Sequence, residues 1–497
     1  MTIIATDDMA KGDRQPLLVQ HQQQPQPQSM SSLPPPRYEG TSNTPAWSVP
    51  PSWSAPSPAP SAWELPGYAP PSPRKNSGWR FLKAFGLALF ALWLLSSLAS
   101  SLKWAWSSTH KTLGVLNPTF PGPGDGTVVE CRRQDELQFT YRGEPEKAFY
   151  LLSSGNTATG IVKLVEAPEQ DADTVFVTIN VSYSDEELFS QSKVCLLEDG
   201  SKRGLGIFAP NWRGPLPRLS RLEYTVVYHI PTSTKPAVFK SFETNMSNFA
   251  HSVELSEGAA TFDLLSLRSS NAAILAKAVE GHNISLITSN GKVSGELVSG
   301  TQINTRSSNA RISGRFVSTE SISLVTSNGA IESDVDLTSA NKPVRLTLHT
   351  SNSKINGTAT LHRDANAFDK TWYTLDLRTS NGVLDYAVQG AHERLNVLAR
   401  TSNAQANVLL PGAYEGSVTL RSSNAAAPRV DFVGSREDPS GRGRTWRARA
   451  LRTSRNEWAG EVGWDLELGQ PRPADWGSVE VTTSNGHVGL LVDNVRA

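Results

Sequence analysis

The sequence predicts an all-β protein: a parallel β-solenoid with two short strands per coil of about 19 residues and an N-terminal β-sandwich-like cap, preceded by one transmembrane α-helix and a disordered tail. Three observations predict this. A Ser-Asn corner recurs nine times in the second half of the chain. Apolar residues alternate on both sides of that corner. An uncharged apolar segment of 19 residues, Ala84 to Leu102, follows a long polar stretch.

Residues 1–78 are dominated by Pro, Ser and Gln and show no apolar periodicity, so a disordered cytoplasmic tail is expected. Within it, Asp13, Leu17 and Leu18 form an acidic dileucine pattern that resembles the signals clathrin adaptors read. Pro35, Pro36 and Tyr38 form a PPxY pattern that resembles the ligands of WW domains, whose usual bearers are ubiquitin ligases or their adaptors. A solvated spacer carrying both patterns by accident is the alternative.

The segment 79–106 contains the apolar stretch, whose length suits a hydrocarbon core of roughly 30 Å. Arg74, Lys75, Arg80 and Lys83 precede it, against Lys103 and Lys111 after it, which favours a cytoplasmic N-terminus and type II topology. Trp79, Trp104 and Trp106 suit the headgroup level. All four Asn-x-Ser/Thr acceptors, Asn180, Asn245, Asn283 and Asn356, follow the segment, as extracellular or lumenal exposure would require. So do both cysteines, Cys131 and Cys195, which could pair in an oxidising compartment or stay as two buried thiols.

A linker, 107–125, leads into strand-like runs over 126–250, expected to form the cap. The solenoid is expected over 251–497. Its corners are Asn271, Asn290, Asn309, Asn328, Asn352, Asn381, Asn403, Asn424 and Asn485, the first four spaced by 19 residues. Six and four residues before the corner stand Leu265, Ile284, Ile303, Ile322 and Leu267, Leu286, Thr305, Leu324. Three and seven after it stand Ile274, Val293, Ile312, Ile331 and Ala278, Leu297, Phe316, Val335. Each column pair has period two, so both strands of a coil should turn alternate residues to one interior. The corner asparagines should then stack as a structural ladder of amides, and the Asn-Gly composition suggests positive φ there. A rival geometry joins the two strands of each copy as a hairpin through a type I′ turn. An insertion near 434–470 carries Arg436, Arg442, Arg444, Arg447, Arg449, Arg452 and Arg455, diluted by Glu437, Asp438, Glu457 and Glu461, and reads as a solvated hairpin rather than a polyanion site.

These TSNG-type copies resemble the domain family named putative adhesin, over residues 250–492, and the arrangement of cap and helix resembles its membrane-anchored fungal members. That resemblance implies a β-solenoid on the outer or lumenal side, with no established ligand and no catalytic residues.

No metal-ligand spacing, nucleophile elbow, phosphate loop or dinucleotide fingerprint occurs, so neither metal nor cofactor is expected. With 47 basic and 47 acidic residues, no nucleic-acid partner is expected either. Asp334 with Asp336, and Asp376 with Arg378, are the pairs a glycan-active β-helix enzyme would need. The first expectation is a non-catalytic module for adhesion to a glycan, cell-wall polymer or protein; the alternative is a trafficked endosomal or vacuolar membrane protein with a lumenal scaffold or cargo receptor.

Overall fold

The computed structural model describes residues 115–493, apart from 118, 120, 123–124, 133–137, 141–147, 168–173, 214–221, 232–235, 366–370, 391–393, 426, 434–437, 439–440 and 466–475. All described residues belong to one unit, Ser96–Ala497. The tail patterns at Asp13, Leu17, Leu18, Pro35, Pro36 and Tyr38 and the apolar segment 84–102 therefore lie outside the described residues. Among the described residues, no helix is long and apolar enough to cross a membrane.

The described part is all-β, with one short helix, Glu186–Ser190. Apart from a two-stranded antiparallel sheet, Val115–Asn117 with Asn211–Arg213, its strands form two stacks, and each solenoid coil gives one strand to each. Before the corner lie Ala260–Arg268, Val279–Ile287 and their successors; after it lie Ile274–Lys277 and its successors. Equivalent strands pair in parallel, as Val279 to Val298, Ile284 to Ile303 and Leu286 to Thr305 show. Val293–Ser307 and Ile312–Thr326 run from the post-corner stack of one coil into the pre-corner stack of the next. A hairpin within each copy, the rival geometry, would pair the two strands of a copy antiparallel, and these strands do not do so.

Alternation explains the core. Leu265, Ile284, Ile303 and Ile322 point inward from one stack, Ile274, Val293, Ile312 and Ile331 from the other, each no more than 2% exposed. Fully burying one such side chain contributes about 1.5–3 kcal/mol relative to leaving it in water. One expected column needs correction. Phe316 and Val335 are buried, but Ala278 and Leu297 are only partly so; Val279 and Val298 fill the inward places instead. The cause is an extra residue: a β-bulge lies between Gly295 and Val298, and Ala278 adopts a φ of 48°.

The expected boundary at residue 250 carries no break in pairing. Ala148–Ser154 pairs in parallel with Ala237–Asn245, and Ala158–Ala167 with Phe249–Glu254, so the expected cap extends both stacks. At this end of the stacks antiparallel pairing begins beyond these strands. Lys193–Asp199 joins Lys202–Phe208 and Thr127–Arg132 at the outer end of one stack, and Cys131 is disulfide-bonded to Cys195 across that last pair.

At the other end, spatial order departs from chain order. Arg394–Arg400 pairs not with the next pre-corner strand, Gly416–Ser422, but with Gly477–Thr483, which in turn pairs with Gly416–Ser422. In the other stack Val488–Asp493 likewise lies between Ala406–Pro411 and Arg429–Val433. The last segment is thus interleaved between two coils formed earlier in the chain. A hairpin, Trp446–Thr453 with Glu457–Trp464, then closes the pre-corner stack by antiparallel pairing to Gly416–Ser422. It is tied down by Trp464 Nε1, which donates to Gly412 O at 2.9 Å, and by Phe432 against Trp446 and Trp464.

Candidate functional site: the Ser-Asn edge

Four residues build each corner, and each has a distinct task. The first, Ser or Thr, is buried: Thr288, Ser307 and Thr326 are 2–3% exposed. Its hydroxyl accepts from the backbone N–H three residues on, as Thr288 Oγ1 does from Gly291 at 3.1 Å. It donates to the carbonyl of the coil before, as Thr288 does to Ala272 O and Ser307 to Gly291 O. A buried polar group is thereby satisfied on both sides, which is why only hydroxyl residues stand there.

The second and third residues, Ser and Asn, face outward. Their N–H groups both donate to the Ser carbonyl one coil back, as Ser289 and Asn290 do to Ser270 O. Each Asn Nδ2 donates to the neighbouring Asn Oδ1 at 2.6–2.8 Å, linking Asn248, Asn271, Asn290, Asn309, Asn328, Asn352, Asn381, Asn403, Asn485 and Asn424 in that spatial order. Each bond, exposed to water, contributes about 0.5–1.5 kcal/mol. Asn248 was not among the expected corners. It lies in Met246-Ser247-Asn248-Phe249, where neither a leading Ser/Thr nor a trailing small residue completes the pattern, and only its Ser-Asn pair and its place 23 residues before Asn271 signal it.

The fourth residue alternates along the row. In spatial order the nine are Ala272, Gly291, Ala310, Gly329, Ser353, Gly382, Ala404, Gly486 and Ala425, with glycine on every second rung. A Cβ added at Gly291 would lie 1.9 Å from Ala272 O, and at Gly486 1.9 Å from Ala404 O. Close approach of the preceding carbonyl therefore excludes a side chain. The expectation of positive φ is corrected here, since no corner Asn or Gly adopts it. In chain order Ala404, Ala425 and Gly486 break the alternation; with Gly486 interleaved it is unbroken.

The remaining expected residues lie elsewhere. Asn180, Asn245, Asn283 and Asn356 are all exposed. Asp334 and Asp336 share the outer side of Ile331–Ser339 in the post-corner stack, where Arg315 Nη2 lies 2.8 Å from Asp336. Asp376 is on the pre-corner stack, 2.6 Å from Arg378 Nε and 3.5 Å from His349 Nε2. The two pairs thus occupy different outer faces and do not form one site. Asp376 lines a shallow groove of about 330 Å³ with Arg345, Thr374, Asn396 and Glu480. Of the insertion's arginines, Arg444 is held by Glu415 and Asp438 at 2.7 and 3.0 Å, and the hydrogen bonds it donates to Asp438 push its pKa up. Arg452 pairs with Glu457, and Arg436 lies outside the described residues. Among the described residues, no group of three or more His, Cys, Asp or Glu side chains is placed to hold a metal ion.

No family model matches the chain, and no curated protein matches it. A solved structure of a putative cell adhesion protein from Clostridium sporogenes aligns over 72% of this chain and 99% of its own length, at 10% identity and a TM-score of 0.14. At that score the likeness carries no argument about fold or function.

Proposed function

We propose that this protein is a single-pass type II membrane protein whose solenoid is a non-catalytic module for adhesion or binding on the extracellular or lumenal side. The observation that supports this reading best is the amide-locked corner edge. Ten asparagines in nine steps, all but Asn248 exposed, make a row about 43 Å long, at about 4.8 Å per coil. A rigid solenoid surface of that extent suits a long ligand, because little conformational freedom is lost on contact. The Cys131–Cys195 disulfide fits an oxidising compartment. The four exposed acceptor asparagines fit glycosylation there, and the resemblance to the adhesin family points the same way.

The test couples topology to adhesion. A C-terminal tag on the full chain should be protease-accessible on intact cells or protected inside vesicles, and beads coated with the full chain should adhere to cells or wall fragments. A cytosolic tag, or beads that adhere to nothing, overturns the reading.

The tail patterns support a second reading, that of an endosomal or vacuolar protein sorted by a clathrin adaptor and a WW-domain ubiquitin ligase. On that reading Leu17→Ala/Leu18→Ala shifts the tagged protein to the surface, seen by microscopy; an unchanged location removes the dileucine from the account.

A further inference from the structure

We propose that the edge between the Asn271 and Asn309 rungs binds a linear anionic polysaccharide laid along the solenoid axis. The inference rests on the binding-module reading and names its ligand class.

The residues flanking the corner carry charge of one sign. Immediately before the buried hydroxyl residue, on the outer side of the pre-corner stack, stand Arg268 and Arg306; just past the small fourth residue, on the opposite flank, stands Lys292. All three are exposed, and among the described residues none has a carboxylate partner. The same flanks further along are neutralised. Arg378, Arg400 and Arg421 meet Asp376, Glu480 and Glu457, while Arg311 and Lys354 share Glu332. The difference lies one outward position along the strands, where the first rungs carry Ser266, Ser285 and Asn304 on one stack and Leu275, Ser294 and Ser313 on the other, with no acid. A chain of zero formal charge thus keeps three unpaired cations together on one edge.

Between them lie groups suited to sugar hydroxyls. The hydroxyls of Ser289 and Ser308 make no hydrogen bond within the described structure, and both are exposed. Each ladder amide uses one N–H and one lone pair on its neighbours and keeps a second of each. Arg268 and Arg306 stand two rungs apart, about 10 Å, with Lys292 on the rung between and on the other flank. An extended 1,4-linked chain advances one sugar per step of similar length and turns alternate units to opposite sides, so carboxylates on successive units would meet these cations in turn. The three rungs offer no aromatic side chain for bases to stack on, which favours a polysaccharide over single-stranded nucleic acid.

The test uses the full chain, with polymannuronate, its methyl ester and single-stranded DNA of equal length as probes. Polymannuronate should bind in a salt-dependent way and the neutral ester more weakly. Arg268→Ser/Lys292→Ser/Arg306→Ser should lower affinity for polymannuronate by about tenfold or more. Ser289→Asp/Ser308→Asp, at exposed positions with no bonds to lose, should do the same, whereas Arg447→Ser/Arg449→Ser/Arg455→Ser on the closing hairpin should change it less than about twofold. Wild-type affinity in the edge variants overturns the inference, as does DNA bound as tightly with the same sensitivity. No binding of polymannuronate while coated beads still adhere overturns the ligand class alone; loss of both overturns the module reading with it.

Discussion

Two stretches of the corner row differ in how the chain reaches them. From Asn271 to Asn328 each coil packs on the coil made just before it, 19 residues earlier. Between Asn403 and Asn424 the neighbour is Asn485, 82 residues from one and 61 from the other. The rungs share the amide bond, a hydroxyl bridge to the preceding carbonyl and the glycine alternation, and they differ only at the last, where the Ser423 N–H donates to Thr483 O instead of Ser484 O. Corner chemistry is therefore a property of contact between coils and is indifferent to chain connectivity. The interleaved end also avoids leaving the last solenoid coil as a bare edge, because the antiparallel hairpin, with Arg447 and Arg452 on its outer strand, covers the pre-corner stack.

The largest expected effect tests whether the two stretches are packed alike. Gly291→Ala and Gly486→Ala each place a Cβ against the preceding carbonyl, and each should cost roughly 3 kcal/mol in chemical denaturation. A neutral Gly486→Ala would mean that the last segment does not pack on the Ala404 coil.

A comparable effect marks the beginning of the row and separates it from the end. His251 follows the Asn248 corner, and burial holds its pKa down at about 4, against an ordinary 6.5. A base with a depressed pKa stays neutral when folded while the unfolded chain takes up a proton. Stability should thus be full above pH 6.5 and fall by up to about 3 kcal/mol as pH drops to 4. Hydrogen exchange should show the coils around His251 loosening first, and His251→Gln should flatten the pH dependence.

The smallest effect is the most diagnostic of order. Asn309 and Asn485 each make two ladder bonds, Asn424 one. Replacement by Ala should cost about 1–2 kcal/mol at Asn309 and Asn485 and about half that at Asn424. Equal losses at Asn424 and Asn309, with less at Asn485, would restore chain order to the row.

Much of this was legible in the residues. Alternation around Asn271 to Asn328 marks both strands and the inward columns, because a strand's side-chain period of two survives any detail of packing. It could not show where an extra residue shifts that alternation: Ala278 and Leu297 look as apolar as Val279 and Val298, and only the facing strands choose between them. The acidic and basic pairs at Asp376 and Asp336 were visible as candidates, but their separation onto two outer faces depends on which stack each strand joins.

By itself the sequence determined the all-β class, the corner and its repeat, since these follow from local steric rules and from hydroxyl and amide groups at fixed spacing. The tertiary structure alone decided which coil lies next to which, where glycine is compulsory, and which flanking cations remain unpaired. Those properties depend on atoms brought together from distant parts of the chain, and a carbonyl 1.9 Å from a missing Cβ exists only once Ala404 and Gly486 are neighbours.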